Sequence, residues 1–196
     1  MSVLEERLSY LEPLVLETGA HDAPNNGLVH ACMMEAVSYV AGEPWSDHPE
    51  CASPVLGAFL RSWNDSLSDE DRQMLKPLIP RLVGTKASKA VEEKRAWMAT
   101  DWLARECAPA LLRLAGLTEH AETLEGLAAL TTTKRAERAK PKLAAARDAA
   151  RDAARAAAGA AAWDAARAAA GGALEPTVKQ LQQSALLLVE RMIEAK

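Results

Sequence analysis

The chain has 196 residues, 49% of them hydrophobic, and a formal charge of −4 at pH 7, with a sequence pI near 5.6. That length suits one domain or a domain with an appendage, and the apolar content suffices for a core, which excludes global disorder. The mild acidity excludes a general nucleic-acid or membrane-surface binder driven by net charge.

Alanine is abundant, while five Trp, two Tyr and a single Phe make up the aromatics. Strands draw on Val, Ile, Thr and aromatic side chains, so the composition favours helices. "MSVLEERLSYLE" carries acids where a secretory signal would be basic, and no run reaches the length of a membrane span. Three cysteines give no disulfide framework. The expected setting is the cytoplasm, with reduced thiols.

Leu4, Leu8, Leu11 and Val15 fall on one helical face, predicting a first helix over 3–16 that Pro13 bends or divides. The loop "GAHDAPNN" follows, with Asn25 or Asn26 as the cap of a helix over 28–41 that Gly42 stops. Ser53-Pro54 opens the next helix, a capping serine before a proline at the first helical position. Ser68 caps another, whose first-turn acids suit the positive end of the dipole and which stops near Pro77 or Pro80. A long helix over 88–107 follows. Pro109 then opens a short one ending at Gly116, and Thr118 caps one through Leu124 and Leu127. With no alternating apolar pattern, the expected class is all-α, a helical domain of about seven to nine helices.

From Lys134 the character changes. "KRAERAKPK" reads as a basic connector, and "LAAARDAARDAARAAAGAAAWDAARAAAGG" as an alanine helix ended by Gly171-Gly172. Asp148–Arg151, Asp152–Arg155 and Asp164–Arg167 are spaced as i,i+3 ion pairs, each contributing roughly 0.2–0.5 kcal/mol. Val178, Leu181, Ala185, Leu188 and Met192 form a final core-facing or coiled-coil stripe. The expected organisation is a helical core over 1–130, with the connector, alanine helix and last helix over 131–196 packed on it.

Chemistry concentrates in "VHACMMEAVSYVAGEPWSDHPECASP", Val29 to Pro54. His30, Cys32, His48 and Cys51 are all zinc-binding residue types, arranged as H-x-C, fifteen residues, then H-x-x-C. The H-x-C half requires His30 at a frayed helix start, because residues two apart on a helix diverge. Glu35 and Asp47 would add ligands or acceptors around them. The plainer alternative makes Cys32 a buried apolar thiol and pairs His48 with Asp47 in an ordinary loop. A third makes Cys32 or Cys51 a nucleophile beside His30 or His48, with Asp47 orienting the imidazole. The zinc-deaminase pattern fails, because Cys32 stands where its glutamate belongs and Cys51 lacks a second cysteine three residues on. Pro44, Pro49 and Pro54 stiffen the loop around Trp45, which must pack or bind. The candidate site is therefore His30, Cys32, Glu35, Trp45, Asp47, His48 and Cys51.

Elsewhere the plain readings lead. Asp101 and Arg105 are spaced as an intrahelical ion pair, and Trp97 and Trp102 read as core. Residues 134–142 could touch phosphates weakly, against the overall acidity. No P-loop, dinucleotide fingerprint, nucleophile elbow or zincin motif is present.

The run "VHACMMEAVSYVAGEPWSDHPECASPVLGAFLRSWND", with "PLIPRLVGT" and "WMATDWLAR…PALLRLAGLTEHAETL" after it, resembles a family of uncharacterised bacterial and phage proteins. The alanine-rich tail is similar to segments of candidate immunity proteins from bacterial conflict systems. The resemblance implies a bacterial or phage cytoplasmic setting and carries no functional residue with it. The favoured function is a non-catalytic helical interaction protein, binding a protein partner or itself, with immunity as one form of that role and no cofactor. The alternative is a metal-dependent enzyme, with zinc, or a thiol enzyme, centred on His30 to Cys51.

Overall fold

The computed structural model describes residues 2–24, 29–158 and 163–196, and of 155–158 and 163–173 only the backbone. The expected caps at Asn25 or Asn26 lie outside the described residues, as do the Arg155 and Asp164–Arg167 side chains. The fold is all-α, with strand among the described residues confined to two residue pairs. Contacts divide the chain into two units, Met1–Arg95 with Met192–Lys196, and Ala96–Arg191.

In the first unit, helix α1 spans Glu5–Leu8 and a 3-10 turn Ser9–Leu11. The predicted helix over 3–16 therefore stops before Pro13, whose ring disfavours helical geometry in the residue ahead of it. Val15–Leu16 instead forms strand β1, parallel to β2 at His30–Ala31, with Val15 opposite His30 and Leu16 opposite Ala31. The anticipated face is corrected accordingly: Leu14 and Leu16 are fully buried and Val15 is 42% exposed, the alternation of an extended segment.

Helix α2, Met33–Ala41, is buried on nearly every side, as suits a helix with neighbours all round. It packs on α3, Pro54–Ser66, on α5, Ile79–Leu82, and on α1. Gly42 ends it with φ 73°, and its amide donates to the Ser38 and Tyr39 carbonyls. The Ser53 hydroxyl accepts from Leu56 N at 3.2 Å, and the Ser68 hydroxyl from Asp71 N at 3.1 Å, opening α4, Asp69–Arg72. A 3-10 segment, Gln73–Leu78, carries Pro77 between α4 and α5.

Two buried arginines tie this unit together. Arg72 donates to the Asn64 and Leu67 carbonyls at 2.8 and 2.7 Å. Arg95 donates to the Thr85 and Met192 carbonyls, both at 2.7 Å, and to Glu92 at 2.9 Å. Buried cations of this kind are stable only when their N–H groups find acceptors.

The unit boundary falls inside α6, Lys89–Trp102. In the second unit a π-helical turn, Leu103–Cys107, leads into α7, Ala108–Leu114, then α8, Thr118–Glu125. Thr118 is the first helical residue of α8 and not its cap, which is Leu117 without a side-chain hydrogen bond. Helix α9 spans Thr133–Ala158, so the basic run expected as a connector is its first turns, with Pro141 inside. Ala139, Leu143, Ala146 and Ala150 of α9 pack on Leu112, Ala121, Leu124, Leu127 and Leu130. Alanines let the helix approach its neighbours closely, and that burial offsets the hydrogen bond Pro141 cannot donate.

Helix α10 spans Trp163–Glu194. Gly171-Gly172 does not end it. Each glycine costs about 1 kcal/mol against alanine, but Ala185, Leu188 and Val189 further along are buried. Trp102 Nε1 donates to the Ser184 hydroxyl at 2.7 Å. Asp101 accepts from Arg105, as the spacing predicts, at 3.1 Å, and from Leu130 N at 2.7 Å.

Candidate functional site

The N-terminus of α2 is built on Cys32 and Glu35. The Cys32 sulfur accepts from Glu35 N at 3.4 Å, and Glu35 Oε2 accepts from Cys32 N at 2.8 Å. This is a capping box with a thiol in the place usually held by serine or threonine. The H-x-C-x-x-E spacing thus starts a helix. It starts five residues later than expected, and His30 lies in β2, half exposed, and not at a helix end.

Glu35 reaches further. Its carboxylate, 2% exposed, also accepts from His21 N at 2.6 Å and His21 Nδ1 at 2.9 Å. His21 Nε2 lies 3.3 Å from Glu17, whose other oxygen lies 2.8 Å from His30 Nδ1. Trp45 Nε1 donates to the His21 carbonyl at 2.7 Å. Glu35, His21, Glu17 and His30 therefore form a chain of alternating acids and imidazoles running from the core to the surface. The strand pairing creates it, because Glu17 directly follows β1 and His30 opens β2. His21 and Glu17 were not distinguishable from the sequence, and no local spacing singles them out.

The other half of the predicted site lies apart from this chain. Asp47 accepts from His48 Nδ1 at 2.6 Å, with His48 exposed, and the Asp47 carbonyl accepts from Arg61 at 2.8 Å. Cys51 is buried, and its carbonyl accepts from Lys86 N at 3.0 Å. His30 and Cys32 belong to the strand and helix start, whereas His48 and Cys51 belong to the loop before α3. Among the described residues no three His, Cys, Asp or Glu side chains are arranged to hold a metal ion.

Burial pushes the Cys32 thiol up to about 12, and the Glu35 carboxylate adds to the rise. Cys51 is also raised, by burial first and then by Glu43. Both are thiols at neutral pH, whereas a cysteine nucleophile acts as the thiolate. His48 stands between two cavities. One of about 380 Å³ is lined by Gly42, Glu43, Pro44, Ser46 and Glu50, and the other, of about 260 Å³, lies towards Arg61 and Lys86.

The second unit has its own concave surface. A groove of about 280 Å³ is lined by Leu111 and Leu112 of α7, Leu124 of α8, and Leu143, Ala146 and Ala150 of α9, with Arg147 its one charged lining residue. Leu111 is 47% exposed and Leu114, in the next turn, 38%. No described helix is long and apolar enough to cross a membrane. No family model, curated protein sequence or solved structure matches the chain, so the chemistry of these surfaces rests on their own geometry.

Proposed function

We propose that the chain is a non-catalytic binding protein, and that its partner is a protein presenting an amphipathic helix with an acidic polar face. The observation that carries this is the apolar groove between α7, α8 and α9. Apolar surface left in a concave, helix-walled trough is the arrangement that receives a helix through anchors three and four residues apart. The charge around it selects the partner. On the α9 wall Lys134, Arg135, Arg138, Lys140, Lys142, Arg147 and Arg151 outnumber Glu137, Asp148 and Asp152. The α8 wall carries Glu119, Glu122 and Glu125, the last paired with Arg113 at 2.6 Å, so the basic side of the groove is α9. A helix with acids flanking its apolar stripe would meet the complementary field there.

Two synthetic amphipathic helices with the same apolar stripe, one acidic and one basic on the polar face, test the reading by fluorescence anisotropy. The acidic peptide should bind more tightly, and more weakly as salt is added. Leu111→Asp should weaken it by about 2 kcal/mol, near thirtyfold in Kd, because one apolar anchor loses its contact. Equal binding of both peptides, or an unaffected Leu111→Asp variant, would remove the basis for the proposal. Light scattering provides the other check. Concentration-dependent self-association abolished by Leu111→Asp would assign the groove to a second copy instead.

A further inference from the structure

The cavity of about 260 Å³ beside the 43–53 loop joins an apolar floor to a cationic rim. Met34, Pro49 and Ala52 are buried and line the floor, with Pro54 exposed at its edge. Arg61, Lys86 and His48 line the rim, with Glu50 the one acid among the lining residues. Each rim group is placed by the fold. Arg61 Nη1 donates to the Asp47 carbonyl at 2.8 Å while its Nε stays 4.0 Å from the Asp47 carboxylate, too long for a tight ion pair. That carboxylate is engaged at 2.6 Å by His48. Lys86 is positioned by its own amide, which donates to the Cys51 carbonyl at 3.0 Å, and its side chain is exposed. Glu50 is tied back through its amide to Glu43 at 2.6 Å. The lining residues thus carry two permanent cations, Arg61 and Lys86, against the single carboxylate of Glu50, with Asp47 behind Arg61.

Gly57 keeps this arrangement open. A Cβ there would come within 3.3 Å of Arg61 Nη1, so that the guanidinium must give by a few tenths of an ångström, and would touch Met34 Cε at 3.4 Å. We propose that the cavity binds a small organic oxyanion, with a carboxylate or phosphate head on Arg61 and Lys86 and an apolar body over Met34 and the prolines. A guanidinium whose nearest carboxylate is at ion-pair limit, beside a lysine, suits an oxyanion, and the apolar floor gives nothing to a bare inorganic ion. This site lies in the first unit and does not depend on the groove reading above.

The test uses the full chain with three probes, phenyl phosphate, benzoate and inorganic phosphate, followed by calorimetry and by the Met34 methyl resonance. Phenyl phosphate or benzoate should shift that methyl saturably, and the stronger of the two identifies the head group. Arg61→Met and Lys86→Met should each weaken binding about tenfold, the effect of losing one charge-assisted contact. Gly57→Ala should weaken it too by crowding Arg61. Lys86 is exposed, so its variant folds normally and keeps the test valid should Arg61→Met unfold. Absence of any saturable shift would overturn the proposal. So would binding undiminished in Lys86→Met, or inorganic phosphate binding as tightly as phenyl phosphate.

Discussion

Glu35→Ala is the most informative single substitution in the first unit. The carboxylate accepts from Cys32 N, His21 N and His21 Nδ1 at 2.8, 2.6 and 2.9 Å. It is 2% exposed, while the His21 side chain is 22% exposed. Water can therefore re-satisfy part of His21 but not Cys32 N at the buried helix start. An orphaned buried N–H costs about 2 kcal/mol, and a weakened cap and partly lost His21 bonds about 1 kcal/mol each, giving roughly 4 kcal/mol in all. Glu35→Gln separates charge from shape. Both oxygens accept from N–H groups, so an amide NH2 must face a donor, and the cost should be about 2–3 kcal/mol. Cys32→Ser, which keeps the capping geometry with a better acceptor, should stay within about 1 kcal/mol of wild type. Urea unfolding followed by circular dichroism measures the midpoints, with an unchanged slope required for comparison. Amide exchange at Cys32 reports the same event locally. A Glu35→Ala midpoint equivalent to less than about 1 kcal/mol, or a Glu35→Gln variant as stable as wild type, would refute the assignment of Glu35 as the anchor of this cap.

The raised Cys32 pKa makes stability fall on the alkaline side. The folded thiol stays protonated up to about 12 while the unfolded one ionises from 9.0, so its contribution is complete below pH 9 and declines by about 1.4 kcal/mol per pH unit above it. Urea titrations over that range should show a shallower decline in Cys32→Ala than in wild type, and parallel curves would contradict the sign. Arg95→Met should destabilise the first unit by about 3 kcal/mol or more, because the Thr85 and Met192 carbonyls and Glu92 lose their buried donor. A thermal midpoint within a degree or so of wild type would show that solvent replaces those bonds.

What was legible in the sequence was what depends on near neighbours along the chain. Ser53-Pro54, Ser68 and Gly42 mark helix ends because a cap is a contact over three or four residues. The β1–β2 pairing was not legible, because two-residue strands carry no alternation and the register follows from packing Leu14, Leu16 and Ala31. The misplaced connector is instructive in a different way. Pro141 and a run of like charges signal a break, yet Ala139, Leu143, Ala146 and Ala150 repeat at spacings of four, three and four, and that stripe is the buried one. Small side chains hide a helical face from a reading that searches for large ones.

The site was legible in part for a related reason. Cysteine, histidine and glutamate can ligate, react or cap, and spacing alone does not distinguish those uses. C-x-x-E is the spacing of a capping box once cysteine is allowed as the cap, and the fold uses it so. That use competes with the others. A metal at Cys32 would need the thiolate and would draw the sulfur from Glu35 N, while a ligating Glu35 would release Cys32 N and both His21 donors. The helix start and a ligand set cannot hold the same atoms at once. The loop side differs: His48 and Lys86 are exposed and Arg61 is half-buried on the Asp47 carbonyl, and none of the three caps a helix. The oxyanion binding proposed for this unit therefore falls on the loop side, where Lys86 is exposed and the Arg61 and His48 side chains engage Asp47 of the loop itself.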